Sequence, residues 1–388
     1  MEFRFDEKQE QLRSEIHRFL KQELTPEFRE SLAVIGRDAC SPEFSRKLGK
    51  KGWIGLAWPR PFGPAAGPLD RMIYSEEMWL HEAPIRFHHP AERQMGPSII
   101  RWGTREQQEF FLPRIARGEC GIAIGYSEPN VGSDLASVET RAVEDGDDFI
   151  INGEKIWNNA HLMDYIWLAV RTNPDVPKHK GISVLLVDLK TPGVAIRSIE
   201  NMAGEPEFCE VHFDNARVPR NNLVGEKDRG WYIIAGNLDL ERSGIDRLNR
   251  NYPLFQEVVG YFREEGQGSV SPGQRTLLRH RIADLETEYQ TGRLLCYRAA
   301  WLHSQGANVT RATSIAWLFG AEVAKRMAYL AIQVVGLRGQ LTPGSKHARL
   351  HGKAERALLY SIPLTIAGGT SEVQRNIIAT RGLGLPRS

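Results

Sequence analysis

The chain has 388 residues, 41% hydrophobic and 25% charged, an ordinary globular composition that is long for a single core and implies two or three domains. A formal net charge of +2 makes no electrostatic case for nucleic acid or an anionic membrane. The four cysteines, Cys40, Cys120, Cys209 and Cys296, form no CxxC pair and suit a reducing compartment better than a disulfide framework. The N-terminus carries charge throughout and no run approaches the roughly eighteen apolar residues of a membrane helix, so a soluble cytoplasmic protein is expected.

In chain order, residues 4–119 read as helical. Leu12, Ile16 and Leu20 recur every four residues, the spacing of one buried helix face. Residues 69–81, 96–102 and 105–117 show similar patterns, and Thr104-Arg105-Glu106-Gln107 is a capping box. Residues 58–64, WPRPFGP, cannot continue a helix and must be loop. From about Gly121 the period changes. Residues 137–143 alternate, Asp145-Gly146 is a hairpin turn, and 149–151 resume a strand. Asn152-Gly153 predicts a second turn, leading into 154–157. Residues 165–171, 181–189, 194–199 and 208–213 are further short strands, enough for a small sheet, sandwich or barrel. From about Asp228 helices return. Residues 230–264 form one helix or two, 274–305 another, with Leu277, Leu278, Ile282, Leu285, Leu294 and Leu295 on a buried face, and 312–335 a third. A polar linker spans 264–273, and a short helix over 371–380 follows a Gly-Gly-Thr-Ser turn. The order is helical, β, helical.

No GxGxxG follows a strand and no GxxxxGK[ST] occurs, so neither a Rossmann fingerprint nor a Walker loop is present. No serine lies in a GxSxG elbow. Adjacent His88 and His89 point apart on most backbones, and with Glu92 they lack the further ligands of a metal centre, so no metal is expected. Other stretches carry more. In residues 125–134, GYSEPNVGSD, Pro129 and Gly132 force a turn after a strand. Its amides and hydroxyls suit a pyrophosphate or a ring with several acceptors, or serve as an ordinary connection. Glu154-Lys155-Ile156-Trp157 follows, and residues 366–378, IAGGTSEVQRNII, come near the end. Residues 236–242, GNLDLER, lie where strand patterns give way to helix and open a long helix. Asp239 and Glu241 there either complement the helix dipole, with Arg242 as an ion-pair partner, or perform chemistry.

At these residues the chain resembles the acyl-CoA dehydrogenase family, over nearly its whole length and in the same order of motifs. The resemblance implies a mainly α protein with a central β domain: an N-terminal helical domain (1–119), a middle β-barrel-like domain (120–228) and a C-terminal four-helix bundle (229–388). It implies FAD held between barrel and bundle and shared across the subunit interface of a homo-oligomer, usually a homotetramer. Substrates are acyl thioesters of CoA or an acyl-carrier protein, and electrons leave to an electron-transfer flavoprotein. By this resemblance Ser127, beside Tyr126, bonds the flavin ring, and Ser133 lies near the flavin phosphates and the CoA chain. Trp157 packs on the flavin, with Asn158 and Asn159 following it. Gln333 and Gly336 touch the neighbouring subunit's FAD, and Thr370 and Glu372 lie near its adenosine part. Asp239, Arg242 and Gly369 lie near the thioester.

The family's reaction needs a carboxylate to take the α-proton while hydride leaves the β-carbon. Many members place this Glu directly before Gly-Thr in the C-terminal motif, where this chain has Gly368. A subgroup resembling isovaleryl-CoA and long-chain acyl-CoA dehydrogenases places it on a bundle helix, and Glu241 matches that position. Desolvation by the acyl chain would raise a carboxylate from ~4.3 toward working pH, and a helix start would oppose it. Two departures bear on the flavin. Residues 263–267, REEGQ, stand where the family has Arg-x-x-Phe-Gly, and residues 158–161, NNAH, lack the usual Thr or Ser that reaches flavin N5. They motivate a second reading, a non-catalytic or half-site subunit of a heteromeric complex. A third, a flavin monooxygenase on the same fold, has no need of Glu241.

Overall fold

A computed structural model describes residues 4–33, 40–241, 244–264 and 271–386. Among them the α-helices are α1 (Glu7–Glu23), α2 (Pro26–Ala33), α3 (Pro42–Lys50), α4 (Pro68–Leu80), α5 (Gly96–Trp102), α6 (Arg105–Ala116), α7 (Gly230–Glu241), α8 (Ile245–Asn249), α9 (Tyr252–Glu264), α10 (Pro272–Ser304), α11 (Thr310–Val335), α12 (Lys353–Leu364) and α13 (Ser371–Ile377). The strands are β1 (Ile122–Gly125), β2 (Arg141–Asp145), β3 (Asp148–Asn158), β4 (Tyr165–Arg171), β5 (Ile182–Asp188), β6 (Val194–Ile199) and β7 (Phe208–Pro219). Helices, a curled sheet and a helical bundle follow one another along the chain, as expected. Contacts group the residues into two compact units that interleave in sequence: a sheet unit of 24–66 and 84–241, and a bundle unit of 1–23, 67–83 and 242–388.

In the sheet unit the strands run β1-β4-β2-β3-β7-β6, with β5 paired on β4. β4 and β5 are apolar almost without alternation and are buried on both faces, whereas β6 alternates and is largely open. Phe149, Ile151, Leu168, Val170, Leu185, Val187 and Val211 form the sheet's core. α7 packs on β5 at close range: a Cβ at Gly230 would lie 2.8 Å from Ser183 Cα. The capping box of α6 is formed, with Thr104 Oγ1 accepting from Gln107 N and Gln107 Oε1 from Thr104 N, both at 3.2 Å.

The bundle unit is centred on α11, whose inward positions Ala316, Gly320, Ala324, Ala328 and Ala331 are small and let neighbouring helices approach. Leu248, Phe255, Leu285, Val323 and Met327 fill the space between. Two adjacent acids on α4, Glu76 and Glu77, are buried there. Glu76 on α4 accepts from Arg13 Nη2 (2.6 Å), Arg293 Nε (2.6 Å) and Tyr297 OH (2.5 Å), tying α1, α4 and α10 together.

The structure departs from the sequence reading in places. Residues 135–137 form a 3₁₀ turn, so β2 begins only at Arg141. Asn152-Gly153 makes no turn. β3 runs through it, with a register shift against β7 between Ile151 and Gly153. The extra residue is on β7, where Asp214 and Asn215 (φ +49) together stand opposite Asn152. Gly153 has φ +139 and passes Thr140 so closely that an added Cβ would lie 2.7 Å from Thr140 Cα, while Asn152 Oδ1 accepts from Asn215 N on β7 at 2.9 Å. Residues 230–264 make three helices. Gly244 (φ +80) separates α7 from α8, and its backbone lies against Ala316. Leu277 and Leu294 are exposed, on the side of α10 away from buried Leu278 and Leu285. Most of the linker over 264–273 lies outside the described residues. Among the described residues, no helix is long and apolar enough to cross a membrane.

Candidate active site

β1 delivers the loop that begins Tyr126-Ser127-Glu128. Tyr126 and Glu128 are buried, Ser127 is half-buried and Ser133 is exposed. Glu128 and Val131 exchange two backbone hydrogen bonds, 2.9 and 3.0 Å, which close the turn that Pro129 and Gly132 announce. The loop then docks on β3: Ile156 N donates to Ser127 O at 3.0 Å. One residue on, Trp157 stands at φ +62 and is 58% exposed, its ring edge-on to Phe208 at 5.9 Å. A β-branched or aromatic residue at positive φ is costly and persists only where its surroundings enforce it. Asn158 Oδ1 accepts from Ala160 N (3.1 Å) and Cys209 Sγ (3.0 Å), while its Nδ2 is buried without a protein partner among the described residues. Thus Tyr126, Ser127, Trp157, Asn158 and Asn159 converge at the ends of β1 and β3. An open, strained aromatic face beside an orphaned amide donor fits a flat, acceptor-rich ring such as flavin.

The bundle unit holds a second set. α13 starts at Thr370, whose Oγ1 accepts from Val373 N at 3.2 Å, and Glu372 lies exposed in its first turn. Its own backbone amide and the Thr370 hydroxyl hold the Glu372 carboxyl below its usual pKa. Before them Gly368 and Gly369 have φ +67 and +97, and buried Gln374 Nε2 donates to both of their carbonyls. Arg247 Nη1 and Nη2 donate to Leu364 O (2.6 Å) and Ala367 O (3.1 Å), and the guanidinium lies 4.0 Å over the Trp317 ring. A Cβ at Gly368 would lie 2.5 Å from Trp317 Cζ2. Gln333, in the last turn of α11, accepts from Arg281 Nη1 at 2.7 Å, and Gly336 (φ +71) ends that helix.

Glu241 is the last residue of α7, not the opening of a long helix. The dipole there has the opposite sign to the one expected: a helix C-terminus favours a neutral acid over a carboxylate. The side chains of Asp239 and Glu241 and the whole of Arg242 lie outside the described residues. His88 and His89 have separate partners. His88 Nδ1 meets Ser45 Oγ at 2.9 Å, with burial pushing its pKa down to about 3, and His89 Nε2 accepts from Arg93 at 3.0 Å. His17, Glu77 and His81 bring ligand-type atoms within 4.8 Å of one another. Arg13 Nε already lies 3.4 Å from the Glu77 carboxylate, and His81 Nδ1 meets Glu77 O at 2.9 Å.

Sequence reasoning passes over Lys155, Glu128, Arg247 and Trp317. Lys155 is completely buried, its Nζ donating to Glu128 Oε1 (2.8 Å) and Tyr126 O (3.2 Å). A signal exists: Lys155 falls in phase with Phe149 and Ile151 on β3, where an unpaired lysine would not be tolerated.

Family models for the N-terminal, middle and C-terminal domains of acyl-CoA dehydrogenase match residues 6–119, 123–216 and 228–383. The chain belongs to the acyl-CoA dehydrogenase family, a family of FAD-dependent enzymes. It is 35% identical to the acyl-CoA dehydrogenase FadE26 of Mycobacterium tuberculosis, with 100% of both chains covered. Among solved structures it is similar to the Tcur3481-Tcur3483 steroid ACAD (TM-score 0.90, 31% identity, 100% of both chains). It is also similar to the ChsE4-ChsE5 complex from Mycobacterium tuberculosis (TM-score 0.87, 35% identity, 100% of both chains).

Proposed function

We propose that this chain carries out the α,β-dehydrogenation of a bulky, steroid-type acyl-CoA, with Glu241 as base, as one partner of a heteromeric pair. The observation that carries the assignment of the base is Gly368. A side chain there would need φ near +67 and would collide with Trp317, so no carboxylate can project from that loop position without rebuilding it. The other position at which the resemblance puts a carboxylate is Glu241, and its place at the end of α7 supports proton uptake. Glu241 takes the thioester α-proton, and Asp239, Arg242, Ser133 and Gly369 orient the substrate. Bound FAD supplies the acceptor for the hydride from the β-carbon. Ser127, with Tyr126, and Trp157, with Asn158 and Asn159, fix the ring, and Thr370, Glu372, Gln333 and Gly336 meet FAD's distal parts. An electron-transfer flavoprotein then reoxidises the enzyme, in the cytoplasm. The functional division follows residues 1–119, 120–228 and 229–388.

The substrate class is supported by the similarity to a steroid ACAD, and the pairing by the ChsE4-ChsE5 complex together with the altered stretch at 263–267. Glu241→Gln keeps shape and removes the base. Substrate-dependent flavin bleaching should fall by ~10²–10⁴-fold while FAD stays bound. Bleaching at a near wild-type rate would remove Glu241 from the mechanism. A panel of straight, branched and steroid-type thioesters tests the substrate: faster bleaching by short straight chains than by steroid-type ones would reverse that assignment. Flavin content per chain, measured alone and with a co-expressed family partner, tests the pairing, and stoichiometric FAD in the lone chain would refute it.

A further inference from the structure

We propose that Lys155 and Glu128 form a positioning pair, one that fixes the Tyr126-Ser127 backbone against the strand carrying Trp157 and so builds the flavin-facing surface before the cofactor arrives. The inference rests on the proposed flavin-binding roles of Ser127 and Trp157. Its ground is where the contacts go. Lys155 is fully buried two residues before Trp157 on β3, and both of its hydrogen bonds reach the loop that carries Ser127, at Tyr126 O (3.2 Å) and Glu128 Oε1 (2.8 Å). The Glu128 carboxylate then accepts from Glu139 N (2.6 Å) and Thr140 N (2.9 Å), at the far end of the same loop. Thr140 Oγ1 returns to β3 by donating to Glu154 O at 3.1 Å. The pair therefore closes a circuit, strand to loop start to loop end to strand, around Ser127.

A buried ion pair is a poor way to add stability, because well-packed apolar residues often do as well. What it supplies is direction: a lysine has three donors to aim and a carboxylate several acceptor sites, and an apolar pair has neither. Directional bonds to one carbonyl and two amides hold the loop at one distance from β3. That distance decides whether the Ser127 hydroxyl and the Trp157 face can meet one planar ring together.

The test uses Lys155→Met combined with Glu128→Gln in the assembled protein. This double variant leaves no uncompensated charge, and the Gln oxygen keeps one of the two acceptor positions that the Glu139 and Thr140 amides use. Three quantities are measured: thermal unfolding, the FAD dissociation constant, and the tryptophan quenching by FAD that a Trp157→Phe control removes. The expected result is a folded protein that holds FAD at least ten-fold more weakly and loses more than half of the Trp157-specific quenching. A merely structural pair would not move the quenching at saturating FAD. An FAD affinity and quenching within two-fold of wild type in the folded double variant would overturn the proposal. Should that variant not fold, Glu128→Gln alone carries the same expectation, and wild-type affinity and quenching in it would overturn the proposal equally. If the wild-type assembly itself takes up no FAD, the reading of the flavin site falls, and the positioning role falls with it.

Discussion

Each unit holds one site-bearing loop in place with a buried cation, and the two do it by different chemistry. In the sheet unit Lys155 needs an acid: its ammonium is met by the Glu128 carboxylate and one carbonyl. In the bundle unit Arg247 uses two carbonyls, Leu364 O and Ala367 O, and the face of Trp317. The difference follows from the cations. An ammonium is compact, strongly hydrated and easily stripped of its proton when buried, and burial brings Lys155 down to about 8. A guanidinium is delocalised, stays charged and can stack while it donates. The lysine clamp is thus a charge pair, sensitive to loss of either member. The arginine clamp is a packing device, sensitive to shape.

The largest effect should come from breaking the charge pair. Lys155→Met leaves the Glu128 carboxylate buried and uncompensated, which typically costs ~3–5 kcal/mol. Urea denaturation measures it, and a loss below about 1 kcal/mol would show that Glu128 does not depend on Lys155. The acid side has a pH signature. Burial pushes the Glu128 pKa up, but the Lys155 ammonium and the Thr140 amide outweigh it and hold the carboxyl below its ordinary 4.5. The folded state then binds fewer protons than the unfolded state between the lowered value and 4.5. Glu128's contribution is therefore present at neutral pH and lost as pH falls through that window. The stability gap between wild type and Glu128→Gln should narrow on acidification below about 4.5, and a gap that stays constant would contradict this.

Next in size is the shape-sensitive clamp. Gly368→Ala meets two penalties, a left-handed φ and contact with Trp317 at 2.5 Å. Together they should cost roughly 2–4 kcal/mol. Trp317→Phe in the same chain should restore the packing part and leave the backbone part. Simple additivity of the two substitutions would mean that the ring and the glycine are not coupled.

Much of this is legible in the sequence, for identifiable reasons. β6, α5 and the capping box of α6 follow directly from alternation, helical period and a Thr-x-x-Gln spacing, because those signals are local. The straight run of β3 through Asn152-Gly153 escapes such reading because Asn-Gly marks a turn only when the strands on either side pair with each other, and here both halves pair with β7. The end of α7 escapes it for a related reason. Gly244, which precedes α8, has a φ of +80 and approaches α11, some seventy residues away in sequence, which no window around 236–242 contains. Lys155 and Arg247 look like ordinary basic residues in sequence, since their partners lie far along the chain.

Replacing the cation by its nominal equivalent sharpens the comparison at smaller cost. Arg247→Lys keeps the charge but loses the fork that reaches two carbonyls and the flat face on Trp317. The expected loss is about 1–2 kcal/mol, with faster amide exchange over residues 366–371. Unchanged exchange there would mean that the carbonyl bonds do not hold the loop.

The smallest expected effect lies at the loop's exit. Thr370 Oγ1 accepts from Val373 N at 3.2 Å and caps α13, so Thr370→Ala should cost ~1 kcal/mol and Thr370→Ser almost nothing. The two variants also separate capping from cofactor contact. Both Thr and Ser can cap, so if FAD's adenosine end rests on this position through the hydroxyl alone, Thr370→Ser should keep both stability and FAD affinity, and Thr370→Ala should lose both. A Thr370→Ala protein that loses stability but binds FAD as wild type would confine Thr370 to the cap. The FAD contact would then have to come from the α13 backbone that the cap sets in place.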